Sequence, residues 1–295
     1  MTLLKCATHV VDSIAATCER YEHWMDYRLV EQGEVPGNLA ADWHCPASAG
    51  RAYAVLQPAS GEQVFLRFIE GDPVPEYRPI RTYGWAAIEL CVTDVEVVHA
   101  AMLESPFEVI GPPRMLDGFT TIKPMQVRGL DAEVVYLTEF SGHDPTLALP
   151  QPVCLIDRPF IIVHASRDLD AGRRWLGDVL GLAVTDPVSI RYTMIERAFG
   201  LTPDDKTAIA TAGWPGSETF LEFDQYPQAA TVRPGHAGAL PPGVAIVTML
   251  HPDMARLDGH WLSPPRQRGG AIYGGRLTGV LQTPDGALLE VVDAS

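Results

Sequence analysis

The segment FIIVHASRDLDAGRRWLGDVLGLAVTDPV, residues 160–188, reads as a strand, a capped helix and the start of a second strand. FIIVHAS (160–166) is rich in the aromatic and β-branched residues that suit a pleated, buried surface. Asp168 stands where a carboxylate can accept from the free N–H groups that open a helix. Within LDAGRRWLGDVLG (169–181), Trp175, Leu176, Val179 and Leu180 recur at three- and four-residue spacing and so share one face. Gly181 supplies the stop. Strand-like stretches follow at 182–188, at KTAIATAG (206–213) and at TFLEFDQ (219–225), the last two parted by the turn-forming WPGSE. The unit is βαβββ.

Working outward, the same order recurs three more times. Upstream lie WAAIELCVTD (85–94), a helix through VEVVHAAMLES, and the strands FEVIG, TTIKPMQVRG and AEVVYLTEF (132–140). The first copy has KCATHVV (5–11), a helix from about Ser13 to Trp24, then YRLVEQGE, RAYAVLQPA and EQVFLRFIEG. The last has GVAIVTML (243–250), a short helix near MARLDGHW, and RLTGVLQTPDGALLEVVD. Such periodicity marks a protein built from one repeated supersecondary unit. The Pro-rich PVPEYRPIRT (73–82) divides copies one and two, and the longer HDPTLALPQPVCLIDRP (143–159) divides two and three. The expected organisation is therefore a domain over 1–142, a linker over 143–159 and a domain over 160–295, with modules one and two paired and three and four paired.

The 295 residues carry 46% hydrophobic and 20% charged side chains, a globular composition long enough for two cores. The formal charge of -15 argues against a nucleic-acid partner, which would need clustered Lys and Arg. Lys5, His9 and Asp12 interrupt the N-terminal apolar run, and no window reaches the 18 to 20 apolar residues of a membrane span. The expectation is a cytoplasmic protein with no membrane partner. Its five widely spaced cysteines form no CxxC pair and suggest reduced thiols.

RDLDAGRRWLGDVLGL (167–182), the weaker ERYEHWMDYRLVE (19–31), and the last-strand pairs FLEF (220–223) and LLEV (288–291) resemble the vicinal oxygen chelate superfamily of glyoxalase, bleomycin-resistance and extradiol dioxygenase proteins. The resemblance covers nearly the whole chain. It implies an α+β fold in which four βαβββ modules pair into two cupped, open barrels. It further implies a divalent metal (Fe, Mn, Zn or Mg) on the inner wall of a cup, held by His from first strands and Glu from fourth strands, stabilising vicinal oxygens as a Lewis acid. A cup holding no metal is the equal alternative.

Carried over residue by residue, the fourth-strand glutamates fall on Glu222 and Glu290, with Arg67 and Tyr136 at the matching places in modules one and two. The first-strand positions, counted back seven residues from the helix start, fall on Ile161, Ala87, Ile246 and Cys6, so the usual His is absent from every module. His164 and His251 could complete a metal site if a bulge shifts the register, although alternation turns His164 away from the inner wall. His260, His236, His44 and His143 lie in loop-like surroundings, and Trp43, His44 and Cys45 share a Gly-bounded loop readable as a lid or as ordinary connection.

With modules three and four paired, Glu222 and Glu290 would face one another in one poorly hydrated hollow and serve as metal ligands or as a catalytic base. In the other half, Arg67, Tyr136 and Glu89 would line an anion pocket for substrate, unless Arg67 and Glu89 form an ion pair that only closes the barrel. The functional expectation is an isomerase-, lyase- or dioxygenase-like enzyme acting on an oxygen-rich aromatic or carbonyl substrate. The alternative is a non-catalytic small-molecule binder with a degenerate metal site. The expected partners are a small-molecule ligand and a second copy of the chain in a homodimer. RGGAIYGGR (268–276) lacks the flanking strand and helix of a dinucleotide fingerprint.

Overall fold

A computed structural model describes residues 3–141 and 149–295. His143 and residues 143–148 of the expected linker lie outside the described residues. Module one comprises β1 (Leu4–Val11), α1 (Ile14–Trp24), β2 (Tyr27–Glu34), α2 (Gly37–Asp42), β3 (Ala52–Pro58) and β4 (Phe65–Glu70). Module two comprises β5 (Gly84–Val92), α3 (Val95–Glu104), β6 (Glu108–Gly111), β7 (Ile122–Arg128) and β8 (Val134–Phe140). Module three comprises β9 (Ile156–Ser166), α4 (Leu169–Asp178), β10 (Ala183–Val184), β11 (Val188–Ile190), α5 (Thr193–Phe199), β12 (Thr207–Gly213) and β13 (Thr219–Gln225). Module four comprises β14 (Gly243–His251), a 3-10 turn at Met254–Leu257, β15 (Ser263–Gln267), β16 (Leu277–Gln282) and β17 (Leu288–Asp293).

Local chemistry explains the helix starts. Asp168 accepts from Ala171 N, Asp94 from Glu96 N and Val97 N, and Ser13 from Ala16 N, each satisfying otherwise unpaired donors of a first turn. The expected linker end is corrected: residues 156–159 already belong to β9.

The sheets pair the modules crosswise. One runs β15-β16-β17-β14-β1-β4-β3-β2 and joins modules one and four; the other runs β10-β12-β13-β9-β5-β8-β7-β6, with β11 on β12, and joins modules two and three. The expected pairing of one with two and three with four is therefore not the one adopted, and neither cup coincides with a half of the sequence. First strands do the joining, β1 antiparallel to β14 and β5 antiparallel to β9. These strands are buried on nearly every residue, so their apolar pattern offers any of the four as an equally good neighbour.

One face of each sheet packs on α1, α3 and α4 and on the other sheet in a shared core that includes Tyr21, Phe68, Trp85, Phe223 and Met249. The opposite faces form two separate hollows. That of modules one and four gathers Trp43, Phe65, Ile246 and Tyr273; that of modules two and three gathers Ala87, Val163, Met194 and Ile195. Buried polar bonds weld the units. Trp85 Nε1 donates to the Leu288 carbonyl at 2.7 Å, Arg20 donates to Asp131 at 2.6 Å, and Arg256 donates to the carbonyls of Gly177, Asp178 and Val179 at the end of α4. Among the described residues no helix is long and apolar enough to cross a membrane.

Candidate functional site

In each module the first and fourth strands run parallel side by side, and that register sets which residues share a level. Thr8 lies beside Arg67, Thr248 beside Glu290, Glu89 beside Tyr136, and Val163 beside Glu222. The first-strand positions thus sit two residues nearer the helices than Cys6, Ile246, Ala87 and Ile161. The face was the expected one; the level was not. His remains absent from all four places.

In the hollow of modules one and four, Glu290 is fully buried and accepts four hydrogen bonds. Trp43 Nε1 donates to Oε1 at 2.7 Å and the Tyr273 hydroxyl to Oε1 at 2.8 Å, while Thr248 Oγ1 at 2.7 Å and Arg67 Nη2 at 3.0 Å donate to Oε2. Arg67 also donates from Nε to Thr8 Oγ1 at 2.9 Å and from Nη1 to the Tyr273 hydroxyl at 2.5 Å, and its guanidinium carbon lies 4.9 Å from the Trp43 ring centre. Burial alone would push the Glu290 carboxyl up, but the Arg67 charge and the donors around it hold it below the usual range. A carboxylate so stabilised is a poor base.

Above this floor lies a cavity of about 270 Å³ lined by Arg67, Trp43, Tyr53, Tyr273, Leu39 and Asn38 among others. It is roofed by α2 on one side and by the 268–276 loop on the other. Glu31 pins that loop, accepting from Ala271 N at 2.6 Å and from the Tyr53 hydroxyl at 2.7 Å.

The hollow of modules two and three is different in charge. Glu89 (9% exposed) and Asp224 (1% exposed) are buried, Glu222 is partly so, and no ion pair among the described residues engages any of them. Thr138 donates from Oγ1 to Glu89 Oε1. The Tyr192 hydroxyl lies 2.9 Å from that of Tyr136 and 3.4 Å from Glu222 Oε1. Burial, then the nearby Glu222 charge, pushes the Glu89 carboxyl up to about 8. Burial raises Glu222, to about 7, and Asp224, which the nearby Glu222 charge raises further. Helix α5 closes this hollow by seating Met194 and Ile195 inside it, and Gly200, in the left-handed region at φ 67°, ends the helix. A cavity of about 130 Å³ at the mouth is lined by Arg114, Arg191, Arg197, Gln126 and Tyr192. Tyr192 thus lines that mouth and also reaches Glu222.

The expected meeting of Glu222 with Glu290 does not occur: they stand in different sheets and share no partner. Crosswise pairing instead brings Glu290 to Arg67, and Glu222 to Tyr136 and Glu89. The expected Arg67–Glu89 pair is replaced by Arg67–Glu290. His164 and His251 are buried in the shared core on the side away from the hollows. His164 bonds Ser166 and Thr283 hydroxyls and stacks on Phe223 at 4.3 Å, and His251 Nε2 bonds the Leu180 carbonyl at 2.9 Å, so neither faces a cup. Asp224 and Thr138 were legible in principle, being two residues along from Glu222 and Tyr136 on the same strand face. Thr8, Thr248, Tyr273 and Tyr192 carried no signal without the pairing or the loops' return, and Trp43, read as part of a lid or connecting loop, is the residue of that loop that reaches Glu290.

A divalent metal does not fit the hollow of modules one and four as built. There, both Glu290 oxygens are already engaged and a guanidinium occupies the inner wall. Among the described residues no three His, Cys, Asp or Glu side chains are grouped so that they could hold a metal ion.

Four βαβββ modules in two cupped sheets, each with its polar groups on the inner wall where first and fourth strands meet, give this chain the vicinal oxygen chelate fold. Among solved structures, glyoxalase I from Zea mays matches at a TM-score of 0.66 with 16% identity, over 99% of this chain and 92% of that one. A mutant of the same enzyme reaches 0.68. A putative dioxygenase from Bacillus subtilis subsp. subtilis str. 168 matches at 0.64 with 12% identity, over 99% of this chain and 85% of that one. No protein-family profile and no curated protein matches the sequence.

Proposed function

We propose that the chain is a vicinal-oxygen-chelate-type enzyme that moves protons on a small, oxygen-rich aromatic or carbonyl molecule, in an isomerase- or lyase-like step in the hollow of modules two and three. One observation carries the reading: Glu89 on β5 faces the same hollow as Glu222 and Asp224 on β13, with only β9 between the two strands, and among the described residues no cation is paired to any of them. Burying three acids without a counter-ion costs stability, and such arrangements concentrate where proton transfer is needed near neutral pH.

In this reading the ionised member of the Glu222–Asp224 pair removes the proton next to a substrate carbonyl. The Tyr192 hydroxyl donates to the oxygen as negative charge develops there. Glu89, still carrying its proton at neutral pH, lies in the same hollow to return one to carbon. At the mouth Arg114 is paired with Asp117 and Arg191 with Glu196, and Arg197, in no ion pair among the described residues, favours an approaching oxyanion in an otherwise acidic protein. Arg67 and Glu290 are assigned to holding the other cup together. That two full-length fold neighbours carry the enzyme names glyoxalase I and dioxygenase supports an enzymatic reading.

The test is deuterium uptake at the carbon next to the carbonyl, followed by NMR with a panel of aryl α-hydroxyketones and chelator-treated protein. Uptake should fall about 100-fold or more in Glu222→Gln. Uptake in Glu222→Gln that stays within about threefold of the parent would sink the proposal.

A second reading, a non-catalytic binder, is favoured by the cavity of about 270 Å³ over Arg67. It predicts stoichiometric calorimetric binding of such a molecule without product, blocked by Asn38→Trp at the exposed rim.

A further inference from the structure

Beside the hollow of modules one and four, and sharing Trp43, Ala245 and Leu288 with its wall, lies a crevice of about 450 Å³ walled by residues of modules one, two, three and four together with the 232–245 segment. Ligand sites favour such junctions when the walls are apolar and a few polar groups converge on them. Here the walls are ring-rich. Trp43 and Trp85, each 1% exposed and with their indole N–H groups fixed on Glu290 Oε1 and on the Leu288 carbonyl, form the closed floor of the crevice, and the partly exposed Tyr83 ring stands at its side. Val244, Ala245, Leu262 and Leu288 complete the apolar lining.

Two guanidinium groups face the same space, neither in an ion pair among the described residues, although the Arg167 charge acts on the nearby Asp285 carboxyl. Arg233 donates only to neutral acceptors: the Thr82 hydroxyl at 3.2 Å and the carbonyls of Pro242, Val244 and Trp85. Arg167 lies with its guanidinium carbon 4.8 Å from the Tyr83 ring centre, and among the described residues its side chain makes no hydrogen bond or ion pair. The lining holds one carboxylate, Asp285, and both its oxygens are turned to other groups. Oδ1 accepts from Arg167 N at 3.1 Å and Oδ2 lies 4.0 Å from His164 Nδ1. In a chain of formal charge -15, a ring-walled cavity with this excess of positive charge is set apart from the rest of the surface.

We propose that this crevice is a ligand site distinct from both cups, which takes a small aromatic monoanion such as an aryl carboxylate. The ring lies against Tyr83 and Leu262, over the floor that Trp43 and Trp85 close, and the carboxylate meets the Arg167 fork, whose planar donors match its two oxygens. The assignment stands whether or not the acid cluster of modules two and three is catalytic.

The probe is naphthalene-2-carboxylate, titrated calorimetrically into the full chain at low and moderate salt, with naphthalene-2-carboxamide as the uncharged control. Expected are one-to-one binding that weakens with salt and an amide bound at least about tenfold more weakly. Arg167→Gln should lose about tenfold in affinity, the effect of one charge-assisted hydrogen bond. Val232→Trp should block entry; both changed residues are exposed, so folding is preserved. Asn38→Trp, at the rim of the other cavity, should bind like the parent. The proposal is overturned if no binding is seen at millimolar probe, if the amide binds as well as the acid, if Arg167→Gln and Val232→Trp both stay within twofold of the parent, or if Asn38→Trp removes binding.

Discussion

Arg67 Nη2 donates to Glu290 Oε2 at 3.0 Å across 223 positions of sequence, from the last strand of the first module to the last strand of the fourth. The pair sits on the inner wall where β4 and β17 flank the joined first strands, and it makes one cup out of the two ends of the chain. Removing either partner strands a buried charge. Arg67→Met or Glu290→Gln should each destabilise by about 3–5 kcal/mol, while Arg67→Met with Glu290→Met should recover much of that loss. Denaturant unfolding of the three variants checks this; singles and double that are equally unstable would show the pair to be no more than packing.

The crosswise pairing makes a prediction about fragments. A cut between Ser141 and Leu149 leaves each half with one portion of both sheets, and β1, β5, β9 and β14 lose their partners along exposed apolar edges. Each half alone should fail to give a cooperative unfolding transition. Mixed or co-expressed halves should associate one to one, as read by size-exclusion chromatography. Two independently folding halves would instead support domains contiguous in sequence.

Much of this architecture can be read from residue order alone. Periodicity over 160–188 gives β9 and α4, with Asp168 as cap, and the four repeats give the module. What resists reading is long-range. First strands that are apolar on both faces carry no label for their partner, so Glu222 and Glu290 could be placed on the right strands and the right face but in the wrong company. Helix α5 has seven residues, too few for a helical period to stand out, and β15 contains Pro264 and Pro265, which a strand tolerates only at a sheet edge, the place it occupies.

Gly172 tests the packing of the best-read element. It lies within α4, where Gly→Ala ordinarily gains about 1 kcal/mol. A Cβ at this position would stand 2.8 Å from the Phe223 ring, and Phe223 is itself fully buried and stacked on His164. Gly172→Ala should therefore reverse the usual sign and lose about 1–3 kcal/mol, seen as a lowered Tm. A raised Tm would mean that the ring yields.

The acid cluster makes stability depend on pH with a defined sign. Glu89 is pushed up to about 8, and Glu133, buried beside Arg20 and Asp131, up to about 7, against an ordinary value of 4.5. Between about pH 4.5 and those values the folded chain holds protons that the unfolded chain has lost, so stability falls as pH rises, by about 1.4 kcal/mol per pH unit for each such group. Glu290 acts oppositely, because its carboxyl is held below the ordinary range and its contribution disappears on acidification. Stability should thus peak near the ordinary carboxylate range and decline towards pH 8. Glu89→Gln, which cannot ionise, should flatten that decline by the share of one group, measured as the urea midpoint at intervals from pH 5 to pH 8. A slope unchanged in Glu89→Gln would show that Glu89 is ionised throughout, and with it would go the proton assigned to Glu89 in the proposed reaction.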